Sequence, residues 1–581
     1  MADPLLALQR AFEAAITAAF GAEHAATDPA IRRSQHADYQ ANAAMALGKR
    51  VGKPPREVAA AILRELRVED VCARTEIAGP GFINLYLRDD YVARELADTA
   101  ADGRLGVTPA AAPETVVVDY SSPNVAKEMH VGHLRSTILG DALGRVLTAL
   151  GHRVIRQNHV GDWGTPFGML IEHLLDQDAA GAEGLSASDL NAFYKAARVK
   201  FDAEPAFAER ARARVVLLQG GDEATLLHWR RLVAASTRYF GSIYGRLGVA
   251  LTDADLAGES LYNPMLDAVA SDLEALGLAR ISEGALCVFP PGFTGREGEP
   301  LPLIVRKQDG GYGYAATDLA AIRHRTGKLG ATRLVYVVGS PQAQHLGMVY
   351  AVARLAGWLA PPARAEHVGF GSILGPDKKM FRTRGGDTVR LSDLLDEADE
   401  RAAQVIAEKN PELDPEARAK VAHAVGVGAV KYADLSNDRI KDYVFDWDRM
   451  LAFEGNTAPY LMYAHARIRS IFRKSEGKPE AEAPGGAGAI VVAAPAERAL
   501  ALELLRFGAV VREVGETLHP HKLCAYLFEL ATAFTAFYEA CPVLRAATDD
   551  ERRSRLAMCD LVARVLAAGL GLLGIEAPDR M

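Results

Sequence analysis

The chain has 581 residues, of which 49% are hydrophobic and 24% charged, as in ordinary globular proteins of several domains. Its net charge of −8 excludes a protein that coats nucleic acid through bulk positive charge, but it is compatible with a folded RNA bound through shape and local patches. Five scattered cysteines disfavour a disulfide framework and a thiolate zinc site, no apolar run reaches the roughly 20 residues of a membrane span, and a reducing cytoplasmic location is therefore expected.

The first predicted domain, residues 1–108, combines α-helices with a β-strand. An amphipathic helix, rather than a signal peptide, is indicated by apolar residues at helical spacing: Leu5, Leu8, Phe12, Ile16 and Phe20. The stretch GPGFINLYL (Gly79–Leu87) predicts a turn and then a strand, because its apolar residues alternate. The Ala/Pro-rich stretch TPAAAPE (Thr108–Glu114) follows as a linker.

The second predicted domain, residues 109–395, has the pattern of a Rossmann-like parallel sheet. TVVVDY (Thr115–Tyr120) is a short β-branched run typical of a buried strand, and a helical pattern of apolar residues then runs from Val131 to Leu150. HRVIRQNHV (His152–Val160) predicts the next strand, which completes a strand–helix–strand crossover.

Two more strands of this sheet are predicted downstream, at RLVYVVGS (Arg333–Ser340) and HVGFGSI (His367–Ile373). The helix-rich stretch between them and the crossover, about 175–300, is predicted to be a helical insertion. The fold class expected for the whole chain is therefore multidomain α/β, with a parallel-sheet core and an α+β domain before it.

From about residue 392 the sequence pattern is almost entirely helical. We expect a helical connector at 396–455 and an all-α domain at 456–581. One interruption, KSEGKPEAEAPGGAG (Lys474–Gly488), is typical of an exposed and mobile loop.

The motif with the clearest chemical meaning is HVGH, which stands where the first strand of the sheet has ended and a helix begins. A helix N-terminus attracts phosphate through free N–H groups and partial positive charge, and Gly132 lets another group approach the main chain. His130 and His133 would share a helix face and could stabilise charge at the α-phosphate of a nucleotide. Taken alone, H-x-x-H is more often two solvated surface histidines, and a zinc site would need further ligands that are not spaced nearby.

HVGH resembles the HIGH signature of class I aminoacyl-tRNA synthetases. Far downstream, GPDKKMFRTRGGDTVRL (Gly375–Leu391) resembles their KMSKS loop, with KMFRT (Lys379–Thr383) in the place of the signature. A cationic loop flanked by glycines can close over a triphosphate. A lone KKM-x-R cluster is usually a solvated patch, but its position after HVGH and two further strands favours the functional interpretation.

Longer motifs resemble one family of that class, the arginyl-tRNA synthetases. In chain order they are DYQANAAMALGK (Asp38–Lys49), AGPGFINLYL (Ala78–Leu87), SSPNVAKEMHVGHLRST (Ser121–Thr137), GDWGTPFG (Gly161–Gly168), YAATDLA (Tyr314–Ala320), SPQAQHL (Ser340–Leu346), PHKLCAYLFELATAFTAFYEACPVL (Pro520–Leu544) and RLAMCDLVARVLAAGLGLLGIEAPDRM (Arg555–Met581). The resemblance is weakest over about 175–300 and 474–498. It implies an N-terminal additional domain that contacts the tRNA elbow, a Rossmann-like catalytic domain and an α-helical anticodon-binding domain.

The resemblance also implies a ligase reaction in two steps. ATP and L-arginine give arginyl-adenylate and pyrophosphate, and the arginyl group then moves to the 3′ end of its cognate tRNA. Members of the family typically need the tRNA before they activate arginine. Mg²⁺ accompanies the ATP, no protein-bound metal is expected, and a monomer is the usual state among relatives.

By the same resemblance, the substrate arginine is bound by Asp119, Ser121, Asn124, Tyr314, Asp318 and Gln344. A guanidinium pairs best with carboxylates, so Asp318 is the leading candidate and Asp119 the second. If YAATD is helical, Tyr314 lies one turn before Asp318 and could stack on the guanidinium or bond it. Asn124 and Gln344 would orient the α-amino and carboxylate groups. Seen alone, Tyr314 is more often a core aromatic and Asp318 a helix cap or a surface ion pair.

For catalysis the resemblance points to Lys127, His130, His133, Lys379 and Arg382, and for ATP binding to His130, Gly132, His133, Lys379 and Met380. Arg382 replaces the second lysine of the KMSKS signature, which keeps the charge but not the compact ammonium. In arginyl enzymes a lysine just before HVGH compensates, and Lys127 occupies that place. The alternative is that Lys127 is an exposed lysine in a turn, with no catalytic role.

RNA recognition is expected in the last domain, although 15 Lys and Arg are balanced there by 15 Asp and Glu over residues 456–581. Unpaired anticodon bases would then meet aromatic and polar side chains. By analogy Tyr460 and the C-terminal Met581 are candidates, whereas most other aromatics recur at helical spacing and are expected in the core.

Two other functions are compatible with parts of the sequence. A related nucleotidyltransferase with an HxGH motif would be shorter and lack an anticodon domain, and a cysteinyl synthetase would carry zinc-binding cysteines. A non-catalytic RNA-binding paralogue would be expected to have lost residues such as His130, Tyr314 and Asp318, which are intact.

Overall fold

The computed structural model describes residues 3–177, 187–381, 388–475 and 490–581. Its first part contains α1 (Pro4–Phe20), β1 (Ile31–Arg33), β2 (Tyr39–Ala41), α2 (Ala43–Val51), α3 (Pro55–Glu65), β3 (Cys72–Ala78), β4 (Phe82–Leu87) and α4 (Asp89–Ala101). The four strands form an antiparallel sheet in the order β1-β2-β4-β3. The predicted amphipathic helix is α1, and the predicted strand after GPG is β4. The other strands escape prediction because they are short or, like β3, largely exposed.

The second part contains β5 (Thr115–Asp119), α5 (Val131–Ala149), β6 (Arg153–Gln157), α6 (Thr165–Asp176), α7 (Ala187–Ala203), α8 (Pro205–Gln219), α9 (Glu223–Leu247), α10 (Glu259–Tyr262), α11 (Leu266–Ala275), β7 (Ala279–Ser282), β8 (Ala285–Val288), β9 (Leu303–Arg306), α12 (Tyr314–Gly327), β10 (Arg333–Tyr336), α13 (Ala343–Leu355), β11 (Arg364–His367) and β12 (Ile373–Leu374). Strands β11, β10, β5 and β6 form a parallel sheet in that order. Val116, Val117 and Val118 of β5 are fully buried, because helices cover both faces of the sheet. This confirms the predicted parallel-sheet core.

One strand of that sheet lies earlier in the sequence than predicted. The sequence favoured HVGFGSI (His367–Ile373), whereas β11 is the polar stretch Arg364–His367. This strand lies at an edge of the sheet and is held partly by charge: Arg364 pairs with Glu114, and Glu366 lies 2.6 Å from Arg333. An edge strand of this kind carries no apolar signal in the sequence.

The predicted helical insertion at about 175–300 is only partly helical. It includes α7, α8 and α9, but β7 and β8 also fall within it and form a three-stranded antiparallel sheet with β9. Leu286, Cys287 and Val288 of β8 are buried in this small sheet, while β7 is mostly exposed. The helical prediction was therefore wrong over 279–288, because these strands are too short for a clear alternating pattern.

The last part is helical, as predicted, and contains α14 (Leu391–Lys409), α15 (Pro415–Leu435), β13 (Tyr443–Val444), α16 (Trp447–Met450), α17 (Ala458–Ser475), α18 (Pro495–Leu504), α19 (Phe507–Thr517), α20 (His521–Ala540) and α21 (Asp549–Leu572). Its α19 packs against the end of α5, where a Cβ added to Gly515 would lie 2.2 Å from Leu150. The loop predicted at Lys474–Gly488 lies outside the described residues, apart from the end of α17. Within the described ranges, no helix is both long and apolar enough to cross a membrane.

Candidate active site

The HVGH motif forms the N-terminus of α5. His130 is the capping residue, with an extended backbone, and its Nδ1 accepts a hydrogen bond from the Gly132 N–H at 3.1 Å. The Nδ1 of His133 accepts from the His130 N–H, also at 3.1 Å, and the two ring centroids are 4.1 Å apart. Because each Nδ1 is an acceptor, the neutral rings carry their protons on Nε2. Two N–H donors are thus left for a ligand.

Both imidazoles are uncharged at neutral pH. Burial, reinforced by the neighbouring His130, lowers the pKa of His133 to about 3. Burial and the charge of Lys127 also lower the pKa of His130. Together with the free N–H groups of the helix terminus, these rings offer an anion hydrogen bonds without a competing proton equilibrium.

The KMSKS-like loop is anchored next to HVGH. The Val131 N–H donates to the carbonyl of Val389 at 3.0 Å, and the Leu391 N–H donates to the carbonyl of Met129 at 2.9 Å. His130 and Arg390 are thereby paired as antiparallel neighbours. The turn that contains HVGH and the end of the KMSKS-like loop are therefore joined by main-chain hydrogen bonds, although they lie far apart in the sequence.

The part of this loop that the structure describes is a tight turn with exposed cations. The Gly375 N–H donates to the carbonyl of Lys379 at 2.8 Å, and the Lys379 N–H donates to the Asp377 carboxylate at 3.1 Å. The side chains of Lys379 and Met380 are exposed. The predicted catalytic Arg382 lies outside the described residues.

Lys127, the proposed compensating lysine, is exposed in the turn before HVGH. Its Nζ lies 4.8 Å from the centre of the Tyr194 ring in α7. The next residue, Glu128, pairs with Arg390 at 3.2 Å. Lys127 is therefore beside the anchored loop and accessible to a ligand.

The helix predicted at YAATD begins at Tyr314, so Tyr314 and Asp318 lie one turn apart on α12. Tyr314 is 78% exposed, which excludes the core-packing alternative. The Asp318 carboxylate lies 2.6 Å from His345 Nε2 on α13, and this hydrogen bond raises the pKa of His345. Gln344, the residue before His345, is exposed.

Asp119 stands at the carboxyl end of β5, but a residue of the chain already holds it. Its Oδ2 accepts a hydrogen bond from the fully buried Arg325 at 2.7 Å, and its Oδ1 accepts from the Ser122 hydroxyl at 3.2 Å. Arg325 also donates to Gln157 at 2.6 Å. Sequence reasoning missed Arg325, because it reads as an ordinary polar residue near the end of a helix.

Ser121 and Asn124 lie in the turn that follows β5. Ser121 is 4% exposed, and its hydroxyl lies 2.7 Å from the Tyr244 hydroxyl. The Thr137 hydroxyl donates to the Ser121 hydroxyl at 2.9 Å. Ser121 has a φ of 70° and Ala126 a φ of 61°, both in the left-handed region, so the turn is strained. Asn124 is exposed. The turn therefore leaves Asn124 exposed, whereas Ser121 forms hydrogen bonds within the chain.

A further carboxyl, Glu259 at the start of α10, lies beside Asp318 and was not singled out in the sequence. Burial and the negative charges of Asp162 and Asp318 raise its pKa to about 7. Asp162 itself is buried and accepts hydrogen bonds from Ser260 at 2.9 and 2.6 Å. This cluster of carboxyl groups is suited to a cationic ligand.

The two predicted RNA-binding residues are partly buried. The Tyr460 ring lies 5.7 Å from the ring of Phe528, and the carbonyl of Met581 accepts a hydrogen bond from Asn410 at 2.8 Å. A cavity of about 270 Å³ lies between α15, β13 and α17, and no predicted active-site residue lines it. Among the residues that the structure describes, no group of three His, Cys, Asp or Glu is arranged to hold a metal ion.

Known families match the chain in three consecutive segments. A model described as "Arginyl tRNA synthetase N terminal domain" matches residues 6–87, "tRNA synthetases class I (R), catalytic domain" matches 97–447, and "DALR anticodon binding domain" matches 461–581. The arginine–tRNA ligases of Thermobifida fusca and Synechococcus elongatus are 59% and 50% identical to the chain, each over 100% of both sequences.

Solved structures agree with these matches. The arginyl-tRNA synthetase of Plasmodium falciparum has a TM-score of 0.83 at 29% identity, covering 99% of both chains. That of Thermus thermophilus has a TM-score of 0.81 at 27% identity, covering 99% of this chain and 100% of its own.

Proposed function

The chain belongs to the arginyl-tRNA synthetase family and charges tRNA for arginine with arginine, and we propose that two ends of one cleft divide this reaction. The N-terminus of α5 and the loop anchored beside it bind ATP, which enters with Mg²⁺ as the substrate. The carboxyl groups around α12 select arginine. The arginine carboxylate attacks the α-phosphate to form arginyl-adenylate and pyrophosphate. A ribose hydroxyl at the 3′ end of the tRNA then takes the arginyl group, and AMP leaves.

At the phosphate end, the Nε2–H groups of His130 and His133 donate to phosphate oxygens. Their charge state supports this role, because neutral donors held by main-chain hydrogen bonds need no reorganisation as charge builds in the transition state. Gly132 and Met380 border the nucleotide. The cations Lys127, Lys379 and Arg382 neutralise the leaving pyrophosphate, with Lys127 supplying the compact ammonium that Arg382 does not.

At the amino-acid end, Asp318 pairs with the substrate guanidinium. His345 holds the Asp318 carboxylate through one oxygen, which leaves the other for the ligand. Tyr314 covers the guanidinium from the exposed start of α12, and Asn124 and Gln344 orient the α-amino and carboxylate groups. Asp119 acts mainly through its charge, since Arg325 occupies one of its oxygens, and Ser121 supports the turn that carries Asn124.

The tRNA is proposed to contact three parts of the chain: the domain at 1–108 at its elbow, the catalytic domain at 109–395 at its 3′ end, and the domain at 456–581 at its anticodon. The helical connector at 396–455 joins the last two. Tyr460 and Met581 are the candidates for anticodon contacts. We also propose that bound tRNA is required before arginine is activated, and that the enzyme works as a cytoplasmic monomer.

The observation that supports this proposal is the pairing of His130 with Arg390, which joins the HVGH turn to the end of the KMSKS-like loop. The test is pyrophosphate exchange into ATP with each of the twenty amino acids, with and without tRNA. Exchange with arginine alone, and only when tRNA is present, is expected. Exchange with another amino acid would refute the assigned selectivity, and arginine-dependent exchange without tRNA would refute the proposed tRNA requirement.

A further inference from the structure

Residues 434–444, which we call the strap, join the end of α15 to β13 and contact the helix that begins with HVGH. Arg135, one turn into α5, is 2% exposed, and its Nε lies 3.0 Å from the Asp434 carboxylate. Its guanidinium also donates to the carbonyl of Lys441 at 3.1 Å and lies 5.3 Å from the centre of the Tyr443 ring. One buried cation therefore connects α5 to both ends of the strap.

The strap also forms hydrogen bonds with the segment and strand that lead into the KMSKS-like loop. The Gly371 N–H donates to the carbonyl of Arg439 at 3.0 Å, and the Tyr443 N–H donates to the carbonyl of Ser372 at 3.2 Å. β12 pairs with β13 immediately before that loop begins at Gly375. The approach is close, because a Cβ added to Gly371 would lie 2.6 Å from Asp442 and 2.8 Å from Lys441.

Arg439, in the middle of the strap, reaches the helical domain as well. Its Nε donates to the carbonyl of Leu518 at 3.0 Å, and its Nη1 donates to the carbonyl of Gly369 at 2.7 Å. Leu518 is the left-handed residue that ends α19, and it lies within the match to the anticodon-binding domain. Gly369, by contrast, precedes the KMSKS-like loop. A single guanidinium therefore bridges the two domains at the base of the loop.

We propose that Arg439 is a positioning residue for adenylate formation, which holds the KMSKS-like loop in the place that the helical domain dictates. The inference rests on the proposed tRNA requirement: RNA bound to the helical domain biases α19, and Arg439 passes that bias through Gly369 to the loop. The planar guanidinium suits this role, because two of its N–H groups can satisfy two carbonyls at a fixed spacing. Arg439 acts through the main-chain carbonyls that it bonds and not as a catalytic residue.

The test is Arg439→Met, which keeps the aliphatic stem and removes both donors, with Arg439→Lys as the conservative variant. The control is Arg564→Met, because Arg564 also donates to two main-chain carbonyls across a domain junction, those of Ala100 and Asp102. Pyrophosphate exchange with saturating arginine, ATP and tRNA gives kcat. Tm, the Kd for tRNA and the KM for arginine are measured on the same proteins.

Arg439→Met is expected to lower the exchange kcat on the order of ten-fold, with the tRNA Kd and arginine KM within about three-fold of wild type. Arg439→Lys should restore part of the rate, and Arg564→Met should keep it at a similar loss of Tm. An unchanged kcat in Arg439→Met, an equal loss in Arg564→Met, or a loss removed entirely by more tRNA would overturn the inference. Failure of the wild type to exchange with arginine would instead overturn the proposed function.

Discussion

At the scale of single residues, the candidate site separates two kinds of electrostatics. The imidazoles of His130 and His133 are held neutral and aimed by main-chain N–H groups, so their Nε2–H groups are available to donate to an anion. Asp318 lies instead among carboxyl groups, because Glu259 and Asp162 add negative charge near it. The neutral N–H donors suit an anion such as phosphate, and the carboxyl groups suit a cation such as a guanidinium.

His133→Ala is predicted to lower the rate of arginyl-adenylate formation by about 10²–10³-fold, the usual cost of removing one donor to a transition-state charge. The arginine KM should stay within about two-fold, because the charge that His133 meets arises mainly in the transition state. Single-turnover kinetics with saturating tRNA measure this. His423→Ala is the control, since His423 pairs with Asp399 and neither residue belongs to the candidate site. A normal rate with a raised arginine KM would contradict the role.

The pH dependence of arginine binding should report Glu259. Its pKa of about 7 means that this carboxyl is protonated in much of the free enzyme below neutrality. A bound guanidinium favours the carboxylate, so the arginine KM should rise up to about ten-fold as the pH falls from 8 to 6. Folding raises the pKa of Glu259 from its ordinary value of 4.5 to about 7. Ionisation of this carboxyl therefore destabilises the fold progressively as the pH rises from 4.5 through 7.

Glu259→Gln separates this effect from the titration of His345, which also lies beside Asp318. The variant should flatten the pH dependence of the arginine KM while leaving the ATP KM unchanged. If the wild type and Glu259→Gln show the same pH profile, the carboxyl does not sense the bound arginine.

At the scale of elements, α5 carries the proposed phosphate-binding end of the site. Its first turn is capped by the ring of His130, which folds over Gly132, and its second turn carries Arg135 to the strap. Its C-terminal end packs against α19 near Gly515. One helix therefore contacts the HVGH turn, the strap beside the KMSKS-like loop, and the helical domain.

Gly132→Ala is predicted to cost activity without costing stability. A Cβ there would lie 2.8 Å from His130 Cε1 and 2.9 Å from Nδ1, so the ring would have to leave its capping position. Adenylate formation should fall on the order of ten-fold, whereas alanine in a helix gains roughly 0.5–1 kcal/mol over glycine and offsets the lost cap.

The matched control is Gly144→Ala in the same helix, where the nearest atom to an added Cβ, Arg156 Nε, is 3.6 Å away. That variant should retain full exchange activity and unfold at an equal or higher temperature. Full activity in Gly132→Ala would show that the capped geometry of His130 is dispensable.

How far the sequence predicts these elements depends on where each one lies. The buried valines of β5 and the apolar face of α5 give clear patterns, so the central crossover is predictable. β11 is an edge strand with ion pairs and has no such pattern. Arg325 and Glu259 are equally invisible, because a buried ion pair and a carboxyl cluster arise only when distant segments meet in the fold.

At the scale of the whole molecule, the N-terminal, catalytic and helical parts are joined by buried and partly buried polar contacts. Arg498 of α18 bonds both carboxylate oxygens of Asp38, at 2.7 and 2.8 Å, and so joins the helical part to the N-terminal one. The buried Lys431 donates to the carbonyl of Leu247 at 2.7 Å, where α9 ends near α5. These contacts join the three parts that tRNA is proposed to touch. Binding of tRNA to one part can therefore affect the candidate active site in another.

The most direct test of the proposed site is a crystal structure of the complex with tRNA and a non-hydrolysable arginyl-adenylate analogue. We expect the group that replaces the α-phosphate to lie within about 3.2 Å of Nε2 of His130 or His133, and the guanidinium to bind the Asp318 carboxylate. An analogue bound away from the start of α5, or with its guanidinium remote from Asp318, would contradict it.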